Sequence, residues 1–215
     1  MSTLETFLEV ARTLEAEGRV RKPPARLFFL TDRERTPDPV AVAERLPPGA
    51  AVIHRTFGAA DAPETAQALR AATRRRGCLL LIAPDEALAA ACSADGLHLP
   101  ERMLGEGSTV RRRHPGWVLT GAAHSAAAVQ AAADLDAVLV STVFASASPS
   151  AGALIGVGGL AELARGADVP LIALGGVNSE TARLLIGSGA AGLAAVEAWL
   201  PSPAGEKERT QKRPA

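Results

Sequence analysis

Apolar residues along this chain switch between two rhythms. Residues 3–16 place Leu4, Phe7, Leu8, Ala11 and Leu14 at helical spacing, which predicts an amphipathic leading helix. After a basic, proline-containing turn, Leu27–Leu30 is a short unbroken apolar run that closes at Thr31 and Asp32. Continuous runs of this kind suit strands covered on both faces. The same rhythm returns at 51–57, 78–83, 96–99, 117–121, 137–142, 171–174 and 192–196. Helical character is expected between most of them, at 63–76, 85–91, 125–134, 160–165 and 179–188. It is weakest between the fourth and fifth strands, where GEGST and RRRHPG interrupt the pattern.

Alternating strands and helices predict an α/β protein with a parallel sheet, because parallel neighbours need a crossover. Eight such units suit a single closed (β/α)₈ TIM barrel, with an open doubly wound sheet as the competing arrangement. The expected organisation is an N-terminal helix and linker at 1–26, the barrel at 27–200, and a tail at 201–215. That tail has almost no apolar residues and is expected to be disordered, so an eighth long helix is not predicted.

Composition narrows the function classes. The 215 residues are 47% hydrophobic and 21% charged, and 23 basic residues balance 23 acidic ones. A net charge of zero gives no long-range pull toward nucleic acid or an anionic membrane. The basic triplets at 74–76 and 111–113 read as solvated helix ends or loop surface; they have no interleaved aromatics, and the chain has no tyrosine. No apolar run approaches the roughly 18 residues that span a bilayer. The N-terminus lacks a basic region followed by an apolar core, so a cytoplasmic protein with Cys78 and Cys92 reduced is expected. GVGG at 156–159 is too short and wrongly placed for a dinucleotide fingerprint.

In a barrel, chemistry gathers at the C-terminal ends of the strands. The sharpest of these ends is LIALGGVNSETA, where an apolar strand runs into Gly175, Gly176 and Val177 and then a helix start. Paired glycines let backbone N–H groups approach a phosphate, and a helix N-terminus adds partial positive charge; a plain turn is the other reading. His98 lies within a buried strand, as substrate contact or core residue. His114 reads as a solvated loop residue. His54 and Arg55 must point to opposite faces of their strand. His124 follows the fifth strand and either moves protons or caps the next helix.

Several segments carry a resemblance. LTDR at 30–33, ADGLHLP at 94–100, AAHSAAAVQAAADLDAVLVSTVF at 122–144 and VPLIALGGVNSETARLLIGSGAAGLAAVEAWL at 169–200 resemble, in order, segments of the thiamine phosphate synthase/TenI superfamily. The resemblance favours the closed barrel, with Arg55 at its mouth. It implies a substrate phosphate held at Gly175, Gly176, Val177, Val196 and Glu197, with further substrate contacts at Ser146, Ser148 and His98. A small phosphorylated thiazole or thiamine-like ligand would be the partner, with homo-oligomerisation left open.

The departures from the pattern are equally specific. The family's Gln-x-Arg-x-Lys after strand two becomes Ile53, Arg55 and Phe57. Its two magnesium-binding aspartates become Pro84 and Met103, although Asp85 and Glu101 stand beside them. Its Thr-x-Thr-Lys becomes Ser146-Ala147-Ser148-Pro149, and its serine after strand eight becomes Glu197. Proline and methionine offer magnesium no hard oxygen, so no cofactor or magnesium is expected. The synthase joins a hydroxymethylpyrimidine diphosphate to a thiazole phosphate. TenI-type thiazole tautomerases lack full synthase equipment and carry a histidine in a context like that of His124. The expectation is therefore metal-independent tautomerase chemistry with His124 and Arg55 as catalytic residues. The alternatives are the synthase itself and a non-catalytic binding paralogue.

Overall fold

In the computed structural model, which describes residues 2–17, 21–146 and 152–200, eight parallel strands close into a barrel in sequence order. They are β1 (Leu27–Leu30), β2 (Ala51–Arg55), β3 (Leu79–Ala83), β4 (Gly96–Leu99), β5 (Val118–Ala123), β6 (Ala137–Val140), β7 (Leu171–Ala173) and β8 (Gly192–Ala195). Closure is made by β8 pairing with β1, Leu193 against Leu27 and Ala195 against Phe29. An open sheet would leave those two strands as edges, so the doubly wound alternative falls.

The unbroken apolar strands now have a physical reason. Alternate residues fill two separate cores. Phe28, Leu30, Ile53, Leu81, Leu139 and Ile172 pack inside the barrel. Their neighbours Leu27, Phe29, Val52, Leu80, Ile82 and Val138 face outward against the helices.

The helices are α1 (Thr3–Glu17), α2 (Pro39–Ala43), α3 (Ala62–Arg76), α4 (Glu86–Ala91), α5 (Gly107–Arg113), α6 (Ala126–Ala131) and α7 (Gly156–Arg165). Sequence periodicity passes over α2, which is short and started by Asp38, whose side chain accepts from the Ala41 N–H at 2.9 Å, with proline at its first position. Between β4 and β5, where the pattern breaks, a 3₁₀ segment (Glu101–Glu106) leads directly into α5. The glycines that blur the pattern are there for contact. A Cβ on Gly107 would lie 2.8 Å from Leu135, and one on Gly121 of β5 would lie 2.4 Å from Leu104 of the 3₁₀ segment. The second basic triplet therefore ends a helix, and His114 is not a freely solvated loop residue. Its ring stacks on Trp117, centroids 3.7 Å apart, and its Nε2 lies 2.8 Å from Glu86.

The helix expected at 179–188 shrinks to a four-residue 3₁₀ turn, Ala182–Leu185. Ile186 returns to extended backbone, and Gly187 and Gly189 adopt φ values of 81° and 77°. No regular helix follows β8 among the described residues, where a 3₁₀ turn (Glu197–Trp199) ends the barrel. The leading helix covers that strand instead. Phe7, Val10, Ala11 and Leu14 of α1 are buried in the outer core against β8. The Phe7 ring meets Trp199 edge-on at 5.0 Å, and the Trp199 indole donates to the Phe28 carbonyl at 3.1 Å. Glu9 binds Arg183 at 2.8 Å and Glu17 accepts from the Gly187 N–H at 3.0 Å, tying α1 to the segment after β7. No described helix is long and apolar enough to cross a membrane. The tail at 201–215 lies outside the described residues.

Candidate anion-binding cavity at the barrel mouth

A cavity of about 410 Å³ opens at the C-terminal end of the barrel, between the ends of β6, β7 and β8 on one side and Arg35 and Arg55 on the other. Gly175, Gly176, Val177, Val196, Glu197 and Ser146 all line it. Ser148 lies outside the described residues.

The glycine turn after β7 is shaped by the loop after β6. Gly175 and Gly176 both take left-handed backbone, at φ 93° and 63°. A Cβ on Gly175 would stand 2.8 Å from Thr142, and one on Gly176 only 2.3 Å from the Ala145 carbonyl oxygen. Phe144 N–H donates to the Gly175 carbonyl at 3.0 Å, and Val143 N–H to Leu174 at 3.0 Å, extending the β6–β7 ladder into the loops. Among the described residues, no hydrogen bond engages the N–H groups of Gly175, Gly176 or Val177. Unengaged amides beside a cavity can receive an anion. The help expected from a following helix falls away, since Asn178 caps a loop here: its Oδ1 accepts from the N–H groups of Glu180 and Thr181 at 2.8 and 3.0 Å. Four residues of 3₁₀ helix carry little macrodipole.

Strand alternation aims Arg55 into the cavity. Ile53 lies in the inner core, so Arg55 faces the mouth, while His54 turns outward and is buried, its Nδ1 3.3 Å from the Thr31 hydroxyl. Burial holds the His54 pKa below the usual histidine value. Arg55 is fixed by its Nε donating to the Thr31 carbonyl at 2.7 Å and its Nη2 donating to Asp32 at 3.0 Å. Phe57, standing where the family pattern has lysine, lies against the guanidinium, 5.1 Å from Cζ to the ring centroid.

One residue outside the sequence expectations, Arg35, completes this wall, held there through Asp32. Asp32 sits at the end of β1, and Arg35 rises from the turn that follows. Arg35 Nη2 donates to Asp32 Oδ2 at 2.8 Å, the oxygen that also receives Arg55. Partial burial pushes the Asp32 carboxyl up. The hydrogen bonds from Arg35 and the charges of Arg35 and Arg55 outweigh it and hold the pKa down at about 2. The acid at the first-strand end could be read from LTDR, but nothing in the sequence says that an arginine three residues later folds back over it.

The remaining histidines stand apart from the cavity lining. His98 points into the barrel and is buried, with its Nδ1 2.9 Å from the Thr120 hydroxyl. Burial and the nearby positive charge of Arg55 push its pKa down to about 3, so the ring is neutral. His124 lies on the rim after β5, and Glu101 takes both its Nδ1 (2.6 Å) and its backbone N–H (2.8 Å). Asp85 accepts the Leu88 N–H at 2.8 Å as the cap of α4. The two carboxylates beside the family's magnesium positions are thus engaged elsewhere, and no group of three or more His, Cys, Asp or Glu converges among the described residues.

Comparison with known proteins shows what the chain resembles. The profile of the thiamine monophosphate synthase family (TMP-TENI) matches residues 27–199. The putative thiamine-phosphate synthase 2 of Aquifex aeolicus is 32% identical over 63% of this chain and 73% of its own length. The thiamine-phosphate synthase of Roseiflexus sp. is 31% identical over 82% of this chain and 79% of its own. Among solved structures, thiamine phosphate pyrophosphorylase from Pyrococcus furiosus superposes with a TM-score of 0.69, covering 81% of this chain and 87% of that one at 24% identity. That last likeness is one of fold.

Proposed function

This chain belongs to the thiamine monophosphate synthase family, and from that membership we propose that its cavity binds phosphorylated thiazole-type ligands in a synthase-type site. One observation carries the reading: Gly175–Val177, whose amides are unengaged, line the same cavity as Arg55. Amides and a guanidinium suit the two kinds of oxygen that phosphate esters present. In a synthase-type transfer, the carbon–oxygen bond to a pyrimidine diphosphate breaks, pyrophosphate leaves with the electron pair, and the thiazole nitrogen bonds to the freed carbon. Charge grows on the leaving oxygens, and a fixed cation stabilises it. Arg55, held on two sides, is pre-oriented for that role.

The tautomerase expected from the sequence loses support on two counts. The relatives compared are named synthases, and His124 does not line the cavity. A binding paralogue remains as a second reading, favoured by Pro84 and Met103 in the family's magnesium positions.

Calorimetry with thiazole phosphate and thiamine phosphate, with and without magnesium, tests the site. Binding independent of magnesium is expected, and absence of binding to either compound sinks the proposal. Supplying the pyrimidine diphosphate together with thiazole phosphate then separates the readings. Formation of thiamine phosphate supports transfer, and tight binding without product supports the paralogue.

A further inference from the structure

Arg35 lies in none of the segments that carry the family resemblance, yet it reaches the same cavity as Arg55. Its side chain is mostly shielded, 21% exposed, although it springs from a turn between β1 and α2. Nη2 makes a 2.8 Å charge-assisted hydrogen bond to Asp32, whereas Nη1 stops 3.9 Å short of the Glu197 carboxylate. The second contact is too long for a hydrogen bond. A guanidinium offers five N–H donors in a fixed fork, so most of Arg35's remain available at the cavity wall.

Glu197 presents the complementary puzzle. It stands where the family pattern has serine, its side chain is 58% exposed, and it lines the cavity. A lone carboxylate there would repel a phosphate. Beside Arg35 it is instead a loose counter-ion, and exposed ion pairs at such range hold weakly. Meanwhile two lysines of the family pattern are absent, with Phe57 and Pro149 in their places.

We propose that Arg35 is a second ligand-binding cation of the cavity, loosely countered by Glu197 and transferred to the arriving anion, so that adjoining phosphoryl groups are preferred over a single phosphate. The inference rests on the cavity being a phosphate-ligand site. Its physical basis is the shared oxygen of Asp32, which fixes Arg35 and Arg55 as a pair with one carboxylate between two positive charges. A diphosphate can meet both forks at once; a monophosphate already seated on the glycine-turn amides gains much less from the second.

The test titrates the full chain with inorganic phosphate and with pyrophosphate, metal-free and at one ionic strength. Wild type should bind pyrophosphate the more tightly. Arg35→Gln should lose roughly ten- to hundredfold for pyrophosphate, the range of a lost charge-assisted contact, and no more than about threefold for phosphate. Arg35→Lys should recover part of the loss, since it keeps the charge without the fork. Glu197→Gln should bind pyrophosphate more tightly than wild type. If Arg35→Gln binds pyrophosphate as wild type does, the inference fails and the phosphate site stands. If wild type binds neither anion, the inference falls together with the reading beneath it. Should Arg35→Gln not fold, Glu197→Gln decides, and unchanged or weaker pyrophosphate binding overturns the proposal.

Discussion

Arg35 and Arg55 come from different strand ends and meet at a single oxygen, Oδ2 of Asp32, at 2.8 and 3.0 Å. Two like charges tolerate that proximity only because a carboxylate sits between them. Asp32→Asn removes the charge and keeps the shape. The variant should be less stable by about 1–3 kcal/mol, the scale of a charged hydrogen bond lost in a shielded place. Added pyrophosphate should raise its melting temperature more than it raises that of wild type, because the anion then replaces the missing carboxylate. An equal rise in both proteins would show that the pair does not face the ligand.

Acid should weaken the fold in two stages. His98 has its folded pKa lowered from 6.5 to about 3. Between those values the unfolded chain takes up a proton that the folded chain refuses, so stability falls as pH drops from 6.5 toward 3. His54, lowered by burial as well, adds to the same slope. Asp32, lowered from 3.8 to about 2, contributes stability present above pH 3.8 and lost as pH falls toward 2. Urea unfolding of wild type and His98→Gln across pH 7 to 4 should give a shallower decline for the variant. Parallel curves would mean that burial does not lower the pKa of the ring.

Gly176→Ala tests the turn itself. The new methyl group would need φ near 63° and would lie 2.3 Å from the Ala145 carbonyl oxygen. Strained backbone of this kind costs about 1–3 kcal/mol, and the backbone contact adds to it. The variant's denaturant midpoint should fall accordingly. Gly176→Asp would suffer the same clash before any charge met a ligand, so it is a poor probe of the anion.

His124→Gln separates the rim from the cavity. Because His124 is engaged with Glu101 and does not line the cavity, affinity for thiazole phosphate should change by no more than about twofold. Arg55→Gln should weaken it by roughly ten- to hundredfold through loss of a charge-assisted contact. Comparable losses in the two variants, read by calorimetry, would move the ligand toward the rim.

The strands were legible because burial on both faces leaves unbroken apolar runs, and β1 and β4 fall on their expected bounds. The helices were less so. At Gly107 and Gly121 the sequence answers a tertiary demand, close approach to Leu135 and Leu104, that no local period records. The glycine turn was legible as a motif, but not its dependence on the loop after β6. Arg35 was illegible for a plain reason: its place at the mouth is set by one hydrogen bond to Asp32 within an irregular turn, and periodicity says nothing about where such a side chain folds.

The leading helix has a consequence for how the barrel is assembled. α1 precedes every strand along the chain, yet the surface it covers, β8 and Trp199, follows all the others. Its apolar face must wait, unpartnered, through the synthesis of the whole sheet. Contacts spanning nearly the entire chain slow folding, since the loop they close must be ordered before they reward it. A circular permutant that begins at Arg26 and carries residues 1–25 after Leu200, through a short linker, would turn those contacts into neighbours. Its α1 would become the crossover-side helix that follows β8, and its refolding should be faster while the ring of strands stays the same.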